Sequence, residues 1–159
     1  MIYPADPERV RRGDAPRSGY VSFRLADQWL GLPVVLAQEV LAPQRISPIP
    51  LAPADVAGFL NLRGQIVTAV DLRIRLGLPL RGEGEGAMNI VVRDGEELFS
   101  FLVDEVGDVV EVGTDQIGEV PATLDEQWKA CCQGVIRLER GLLLIMDPAR
   151  LLNPVEAAA

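Results

Sequence analysis

The chain has 159 residues, a formal net charge of −8 and no histidine, and 48% of its residues are apolar. This length suits one compact domain with a substantial core, and the lack of histidine excludes imidazole catalysis and histidine-containing zinc sites. Lys129 is the only lysine, and the phosphate-binding Gly-Lys-Ser/Thr loop is absent. The sequence therefore predicts no enzyme, no metal and no cofactor.

Membrane and redox features are equally sparse. No apolar run approaches the ~20 residues of a membrane span, and residues 1–19 lack the apolar stretch of a signal peptide. The two cysteines, Cys131 and Cys132, are adjacent, and a disulfide between neighbours is strained. We therefore expect a cytoplasmic protein without membrane insertion, in which both cysteines are small, partly buried residues.

The first half of the chain is strand-like. Residues 1–18 are expected to be a mobile tail, and residues 20–25 (YVSFRL) alternate as in a strand. Four prolines between residues 42 and 58 preclude a helix there. Residues 60–63 and 66–70 then flank Gly64-Gln65 in the pattern of a tight hairpin.

The second half follows a charged, glycine-rich connector, residues 80–87. It contains further short apolar segments, and residues 154–159 are expected to be a second mobile tail. Short, frequent strands with turn residues between them indicate an all-β barrel or sandwich. The segments are residues 90–92, 98–103, 109–112, 134–138 and 142–146.

The chain also repeats itself. Residues 58–71 match residues 134–147, with Gly58 and Asp71 corresponding to Gly134 and Asp147 at one offset of 76 positions. Upstream, Ile46, Ile49 and Pro50 match Ile117, Val120 and Pro121 at an offset of 71. The repeat predicts an internal duplication, with an insertion between Pro121 and Gly134.

Each matched aspartate is expected to begin a short helix rather than to act in acid–base chemistry. Asp is a favoured N-cap residue, and Pro148 suits the first helical position after Asp147. Gly77 and Asn153 suit the exits of the two helices. Little other helix is expected.

Several segments resemble, in order and spacing, the CheW family of chemotaxis adaptors. Residues 56–64 (VAGFLNLRG) and 66–77 (IVTAVDLRIRLG) carry most of this resemblance, which runs from about Tyr20 to Leu152. Flanking segments that fit are Glu39-Val40, residues 46–50, residues 102–106 (LVDEV), Asp108-Val109 and residues 144–147 (LIMD).

The resemblance implies two small five-stranded SH3-like or OB-like barrels, with strands partly exchanged between them. It implies one CheW-like domain over residues 19–153, with repeat halves of about 19–79 and 88–153. It also implies a non-enzymatic scaffold that couples methyl-accepting chemoreceptors, through their cytoplasmic tip, to the regulatory domain of a CheA-type histidine kinase. Alone, such a protein is expected to be a monomer that assembles into receptor arrays.

The resemblance also implies partner-binding residues. Carried over by motif, they are Glu39, Gly58, Asn61, Arg63, Met88 and Val109, and Glu39 and Arg63 are expected to pair. Alternation along residues 60–63 is expected to bury Leu60 and Leu62 and to turn Asn61 and Arg63 outward. Three alternatives remain: a positive-φ turn position for Gly58, a solvated hairpin residue for Arg63, and a core residue for Val109.

Charge bears on the remaining functional alternatives. An OB-type nucleic-acid-binding barrel would need a basic groove with exposed aromatic residues, whereas this chain is acidic and only 5% aromatic. Residues 94–126 hold eleven acids and no base, and residues 39–82 hold five arginines against three acids. This asymmetry indicates either ordinary solvated faces or surfaces that orient protein partners.

Overall fold

The computed structural model of the protein describes residues 16–82, 85–139 and 141–152. The tails predicted at 1–18 and 154–159, and the helix exit predicted at Asn153, lie mostly or wholly outside the described residues. The described residues form eleven strands and three short helices. These are β1 Arg17–Leu25, β2 Gln28–Pro33, β3 Ala37–Leu41, β4 Val56–Leu62, β5 Gln65–Asp71, α1 Leu72–Arg75, β6 Met88–Asp94, β7 Glu97–Val103, β8 Glu105–Gly113, β9 Ile117–Gly118, α2 Glu126–Cys131, β10 Cys132–Leu138, β11 Gly141–Met146 and α3 Pro148–Leu152.

The strands form two small barrels. In barrel 1 the strand order is β3-β6-β7-β5-β4, and a bridge from Ser47 to Phe59 connects the segment after β3 to β4. In barrel 2 the order is β8-β1-β2-β11-β10-β9. Strands β8 and β9 follow each other in the chain and are separated only by a 3₁₀ turn at Thr114–Gln116. Because β8 pairs with β1 at one end of the strand order and β9 pairs with β10 at the other, this bent segment closes the barrel. The predicted fold class is confirmed.

The strand registers repeat at the offset found in the sequence. In barrel 1 Leu60 pairs with Val67, and in barrel 2 Ile136 pairs with Leu143. Both residues of the second pair lie 76 positions after their equivalents in the first pair. Equivalent pairs are Val56–Val70 with Cys132–Met146, Gly58–Ala69 with Gly134–Ile145, Leu62–Gln65 with Leu138–Gly141, and Ser47–Phe59 with Gly118–Val135.

Strands are exchanged between the two halves of the chain. The β1–β2 hairpin comes first in sequence but belongs to barrel 2, where β2 lies parallel to β11 with Leu30 opposite Leu144. In barrel 1, β5 of the first half lies parallel to β7 of the second half, with Thr68 opposite Phe99. Each barrel therefore needs strands from both halves.

One hydrophobic cluster spans both barrels. It includes Phe23 and Leu30 of barrel 2 and Ile90 and Phe101 of barrel 1, all fully buried. Smaller clusters fill the remainder of each barrel. The cysteines belong to the shared cluster and are more buried than expected, and this burial raises the pKa of both thiols.

The two predicted helices begin at the predicted aspartates. Asp71 Oδ1 accepts a hydrogen bond from Arg73 N at 3.1 Å, and Asp147 Oδ1 accepts one from Ala149 N at 3.0 Å. Gly77 follows α1 with φ +74°, as expected for a helix exit. Helix α2 was not predicted and occupies the insertion before β10.

Two local predictions were wrong. Leu62 was expected to be buried but is only half-buried, as is its repeat equivalent Leu138, whereas Leu60 and its equivalent Ile136 are buried, at 3% and 2% exposure. The two-residue hairpin loop is Arg63-Gly64 rather than Gly64-Gln65, because Leu62 pairs with Gln65. Leu62 therefore sits at the last pair before the loop, where the barrel interior ends.

Candidate partner-binding site

The β4–β5 hairpin presents Arg63 at its tip. Arg63 has φ +49° and Gly64 has φ +85°, the two positive values that a type I′ hairpin turn requires. Asn61 stabilises this turn, since its Oδ1 accepts a hydrogen bond from Gly64 N at 3.0 Å. Asn61 and Arg63 are both exposed, as alternation predicted, although the side chain of Asn61 also serves the turn.

Glu39 and Arg63 form the expected ion pair. Both terminal guanidinium nitrogens of Arg63 donate to the Glu39 carboxylate, one of them to Oε2 at 3.3 Å. Glu39 lies on β3, which together with β4 forms the two ends of the strand order in barrel 1. The ion pair therefore connects β3 to the β4–β5 hairpin at the two ends of the strand order. The Arg63 side chain remains 66% exposed, so the pair orients the guanidinium without removing it from solvent.

Gly58 is required by the backbone around it. Its φ is +147°, and a Cβ built on it would overlap Ser47 O and lie 2.7 Å from the Ser47 carbonyl carbon. This close approach accompanies two hydrogen bonds of 2.8 Å between the backbones of Ser47 and Phe59. Gly58 therefore supports the site through backbone geometry, which favours the positive-φ alternative.

Val109 lies beside an exposed apolar turn that the sequence did not reveal. A Cβ built on Gly19 would lie 3.1 Å from Val34 Cγ1 and 3.6 Å from Val109 Cγ1, so both side chains flank Gly19. The 3₁₀ turn Val34–Leu36 leads directly into β3, and Val35 is 81% exposed. We call Val34–Leu36 with Val109 the apolar turn surface. The sequence does contain one indication of this surface: residues 31–37 (GLPVVLA) form a run that no polar residue interrupts.

Met88 is placed differently from the other candidates. It begins β6 opposite Val103, is half-buried, and packs against the shared hydrophobic cluster. The structure therefore brings Glu39, Asn61 and Arg63 together at one hairpin tip. Met88 packs on the core instead.

A buried charge cluster joins the two barrels near the connector. Asp104 accepts hydrogen bonds from Arg73 at 2.6–3.1 Å, from Arg81 Nε at 3.1 Å and from Ala26 N at 2.7 Å. Burial alone would raise the pKa of Asp104, but these hydrogen bonds and the two positive charges lower it overall. The hydrogen bond to Asp104 also raises the pKa of Arg73. Two arginines of the basic segment 39–82 thus pair with an acid of the acidic segment 94–126 inside the fold.

The described residues contain neither a metal-binding cluster nor a membrane-spanning helix. In residues 16–82, 85–139 and 141–152, no three His, Cys, Asp or Glu side chains form a group that could hold a metal ion. Within the same ranges, no helix is long and apolar enough to cross a membrane.

Comparison with known proteins identifies the family. Residues 19–156 match the CheW-like domain. The chain belongs to the CheW-like family. It is 26% identical to the chemotaxis protein CheW of Klebsiella aerogenes over 146 residues, which are 92% of this chain and 88% of that protein. It is 25% identical to CheW of Helicobacter pylori over 107 residues, which are 67% of this chain and 65% of that protein.

A solved structure agrees with this assignment. The crystal structure of the scaffolding protein TtCheW from Thermoanaerobacter tengcongensis superposes with a TM-score of 0.76. The two sequences are 28% identical, and the match covers 86% of this chain and 92% of that one. These relatives are named as chemotaxis or scaffolding proteins, and none of the three as an enzyme. Membership of this chemotaxis scaffold family favours the adaptor interpretation over nucleic-acid binding.

Proposed function

We propose that the protein is a cytoplasmic, non-enzymatic adaptor that couples methyl-accepting chemoreceptors to a CheA-type histidine kinase. Family membership supports the scaffold role, and the acidic net charge of −8 argues against a nucleic-acid partner. The protein acts through binding surfaces and requires no cofactor or metal. Alone it is a monomer, and it joins receptor arrays through its two partners.

The observation that carries the proposal is the exposed Arg63 guanidinium held by Glu39. A guanidinium offers five donors in a planar fork, which suits carboxylates on a receptor helix. Glu39 holds Arg63 over the open edge between β3 and the hairpin. An exposed pair of this kind contributes only about 0–1 kcal/mol to stability. Its value therefore lies in presenting Arg63 in one orientation.

The apolar turn surface supplies the second component of the receptor site. Val34–Leu36 ends where β3 begins, so Val35 and Glu39 lie on one continuous segment. An apolar centre with charged residues at its rim is the usual composition of a protein interface. We assign the receptor tip to this surface, with Arg63 at the rim and Val109 on the apolar side.

Kinase binding is expected to bury a further apolar patch on each partner rather than to rely on charge alone. Exposed apolar side chains outside the receptor surface include Leu51, Ile66 and Leu80. No metal or nucleotide is required for this association. If removal of a bound metal or nucleotide from the purified protein abolished kinase binding, the plain adaptor model would be wrong.

The test of the receptor site is a charge reversal with an internal control. Arg63→Glu places two carboxylates at the hairpin tip and should abolish co-sedimentation with receptor-containing membranes and receptor-dependent kinase activation. The repeat supplies the control, because Glu139 occupies the position of Arg63 in barrel 2, and Glu139→Arg should leave receptor co-sedimentation intact. Both substitutions are exposed and should change stability by about 0.5 kcal/mol or less. Normal receptor binding by folded Arg63→Glu protein would show that Arg63 is not a contact.

A further inference from the structure

The left-handed backbone at Arg63 is unusual for a residue with a side chain. In the described ranges, three non-glycine residues have positive φ: Ala26 at +53°, Leu51 at +61° and Arg63 at +49°. Residues other than glycine, asparagine and aspartate rarely adopt this conformation, because the Cβ crowds the backbone. They keep it only where surrounding contacts hold them. The tip of the β4–β5 hairpin therefore needs a contact that holds Arg63 in the left-handed region.

The β1–β2 hairpin shows what such a contact looks like. Leu25 pairs with Gln28, so Ala26 is the first residue of a two-residue loop, as Arg63 is in the β4–β5 hairpin. Ala26 N donates to Asp104 Oδ2 at 2.7 Å. In this hairpin, a side-chain acceptor thus bonds to the backbone of the loop whose first residue has positive φ.

Asn61 supplies the corresponding contact in the β4–β5 hairpin. Its Oδ1 accepts the hydrogen bond from Gly64 N at 3.0 Å. This bond joins the end of β4 to the second loop residue, so it encloses Arg63 between its two ends. Asparagine side chains commonly bond a backbone N–H a few residues along the chain and thereby stabilise turns. The bond therefore favours the backbone conformation in which Arg63 has positive φ.

The equivalent hairpin of barrel 2 lacks both features. Arg137 stands at the position of Asn61, 76 residues later, and an arginine side chain has no acceptor atom. Glu139, the counterpart of Arg63, is a described residue that is not among those with positive φ. The left-handed first loop residue thus accompanies the asparagine acceptor and is absent at Glu139, where arginine replaces that acceptor.

We propose that Asn61 is a positioning residue, which contributes to receptor binding by holding the backbone of Arg63 and not by touching the receptor. This inference rests on the function proposed above, in which Arg63 is the receptor contact. A negative φ at Arg63 would redirect its Cα–Cβ bond and carry the guanidinium away from Glu39. Glu39 therefore orients the side chain of Arg63, and Asn61 orients the backbone from which that side chain extends.

The first measurement follows the turn in the free, full-length protein. Asn61→Ala removes the acceptor, whereas Asn61→Asp keeps one. NMR reports the turn through the temperature coefficient of the Gly64 amide proton and through the intraresidue NOE between the amide and Hα protons of Arg63, which is strong at positive φ. We expect both signals to change in Asn61→Ala and to persist in Asn61→Asp.

Receptor co-sedimentation should follow the turn. One hydrogen bond is worth about three- to tenfold in an equilibrium, so Asn61→Ala should weaken receptor binding by up to that factor. Asn61→Asp should bind more tightly than Asn61→Ala, although it lacks the amide donor and adds a negative charge. Gln65→Glu is the matched control for charge, because Gln65 is exposed, directly follows the loop and leaves Asn61 in place. Any loss in Asn61→Asp should not exceed the loss in this control.

The outcomes separate a positioning role from a contact. The inference is wrong if Asn61→Ala keeps the turn, or if any variant loses the turn and still binds the receptor normally. It is also wrong if Asn61→Asp keeps the turn but binds as weakly as Asn61→Ala, since the amide would then be a receptor contact. Co-precipitation with the kinase should be unchanged, and an equal loss of kinase and receptor binding would overturn the inference by showing general damage to the fold.

The proposed function can fail separately. If Arg63→Glu loses receptor binding while Asn61→Ala binds normally, the receptor contact stands and only the role of Asn61 is refuted. If Arg63→Glu binds normally, the receptor contact itself is refuted, whatever the NMR signals of the turn show.

Discussion

Removing the charge of Asp104 should destabilise the whole fold. The side chains of Asp104, Arg73 and Arg81 are 8%, 14% and 10% exposed, so this is a buried cluster. Asp104→Asn keeps an acceptor for Ala26 N but leaves the two buried guanidinium groups short of a counter-charge. Asp71 also bonds Arg81 at 2.8 Å and compensates in part. Breaking a buried pair in this way costs about 3–5 kcal/mol, or roughly 6–20 °C in Tm for a domain of this size.

The same substitution should change the response of the protein to acid. Because the folded state lowers the pKa of Asp104, its ionised form stabilises the fold fully above the unfolded pKa, about 3.9. That contribution is lost as the pH falls from there through the lowered folded value. Asp104→Asn cannot titrate, so its stability should decline less steeply than that of the unaltered protein below about pH 4.

Urea denaturation at neutral pH and at several acidic pH values measures both effects. The control is Glu119→Gln, which also removes one carboxylate but is exposed, and it should change stability by about 0.5 kcal/mol or less. The reasoning fails if Asp104→Asn is as stable as this control at neutral pH. An acid dependence identical to that of the unaltered protein would show that Asp104 titrates normally in the fold.

Two further substitutions test packing and backbone geometry. Leu60→Ala should cost about 2–5 kcal/mol in urea denaturation, and Leu62→Ala clearly less, because Leu62 is half-buried; equal costs would contradict the assigned register. Gly58→Ala should lower the free energy of unfolding by about 1–3 kcal/mol or more, because the added Cβ meets the Ser47 backbone. Thermal unfolding should show a larger decrease in Tm for Gly58→Ala than for Gly95→Ala. Gly95 also has positive φ, +65°, but a Cβ there meets nothing within 4 Å.

The duplication was predictable because the matching residues include glycines and aspartates whose identity the local backbone conformation constrains. Gly58 and Gly134 form equivalent strand pairs, with Ala69 and Ile145, and Asp71 and Asp147 begin equivalent helices. The backbone conformation at a glycine and the capping of a helix by an aspartate depend on only a few neighbouring residues, so both can be predicted from a single sequence. The bounds of the halves and tails remain predictions. Helix α2 was missed because it fills an insertion with no counterpart in the first half.

The site was only partly predictable. The Glu39–Arg63 pair came from a family resemblance, and the structure places the two residues together. The loop position was wrong by one residue, because a non-glycine residue, Arg63, adopts the first positive φ of the turn. The Asp104 cluster was missed because its members are far apart in sequence. Only the fold shows that the connector residue Arg81 reaches Asp104.

The two barrels show why one strand frame can carry hairpin tips with different side chains. Inward positions are tied across the repeat, since Leu60 and Ile136 must both fill a closed barrel. Hairpin tips are not tied in this way, because a two-residue loop needs only the correct φ values and leaves its side chains in solvent. Arg63 and Glu139 have therefore been free to take opposite charges without cost to the fold. Divergence after duplication therefore leaves Arg63 at one hairpin tip and Glu139 at the equivalent position of the other, while the paired positions of the two hairpins stay in register.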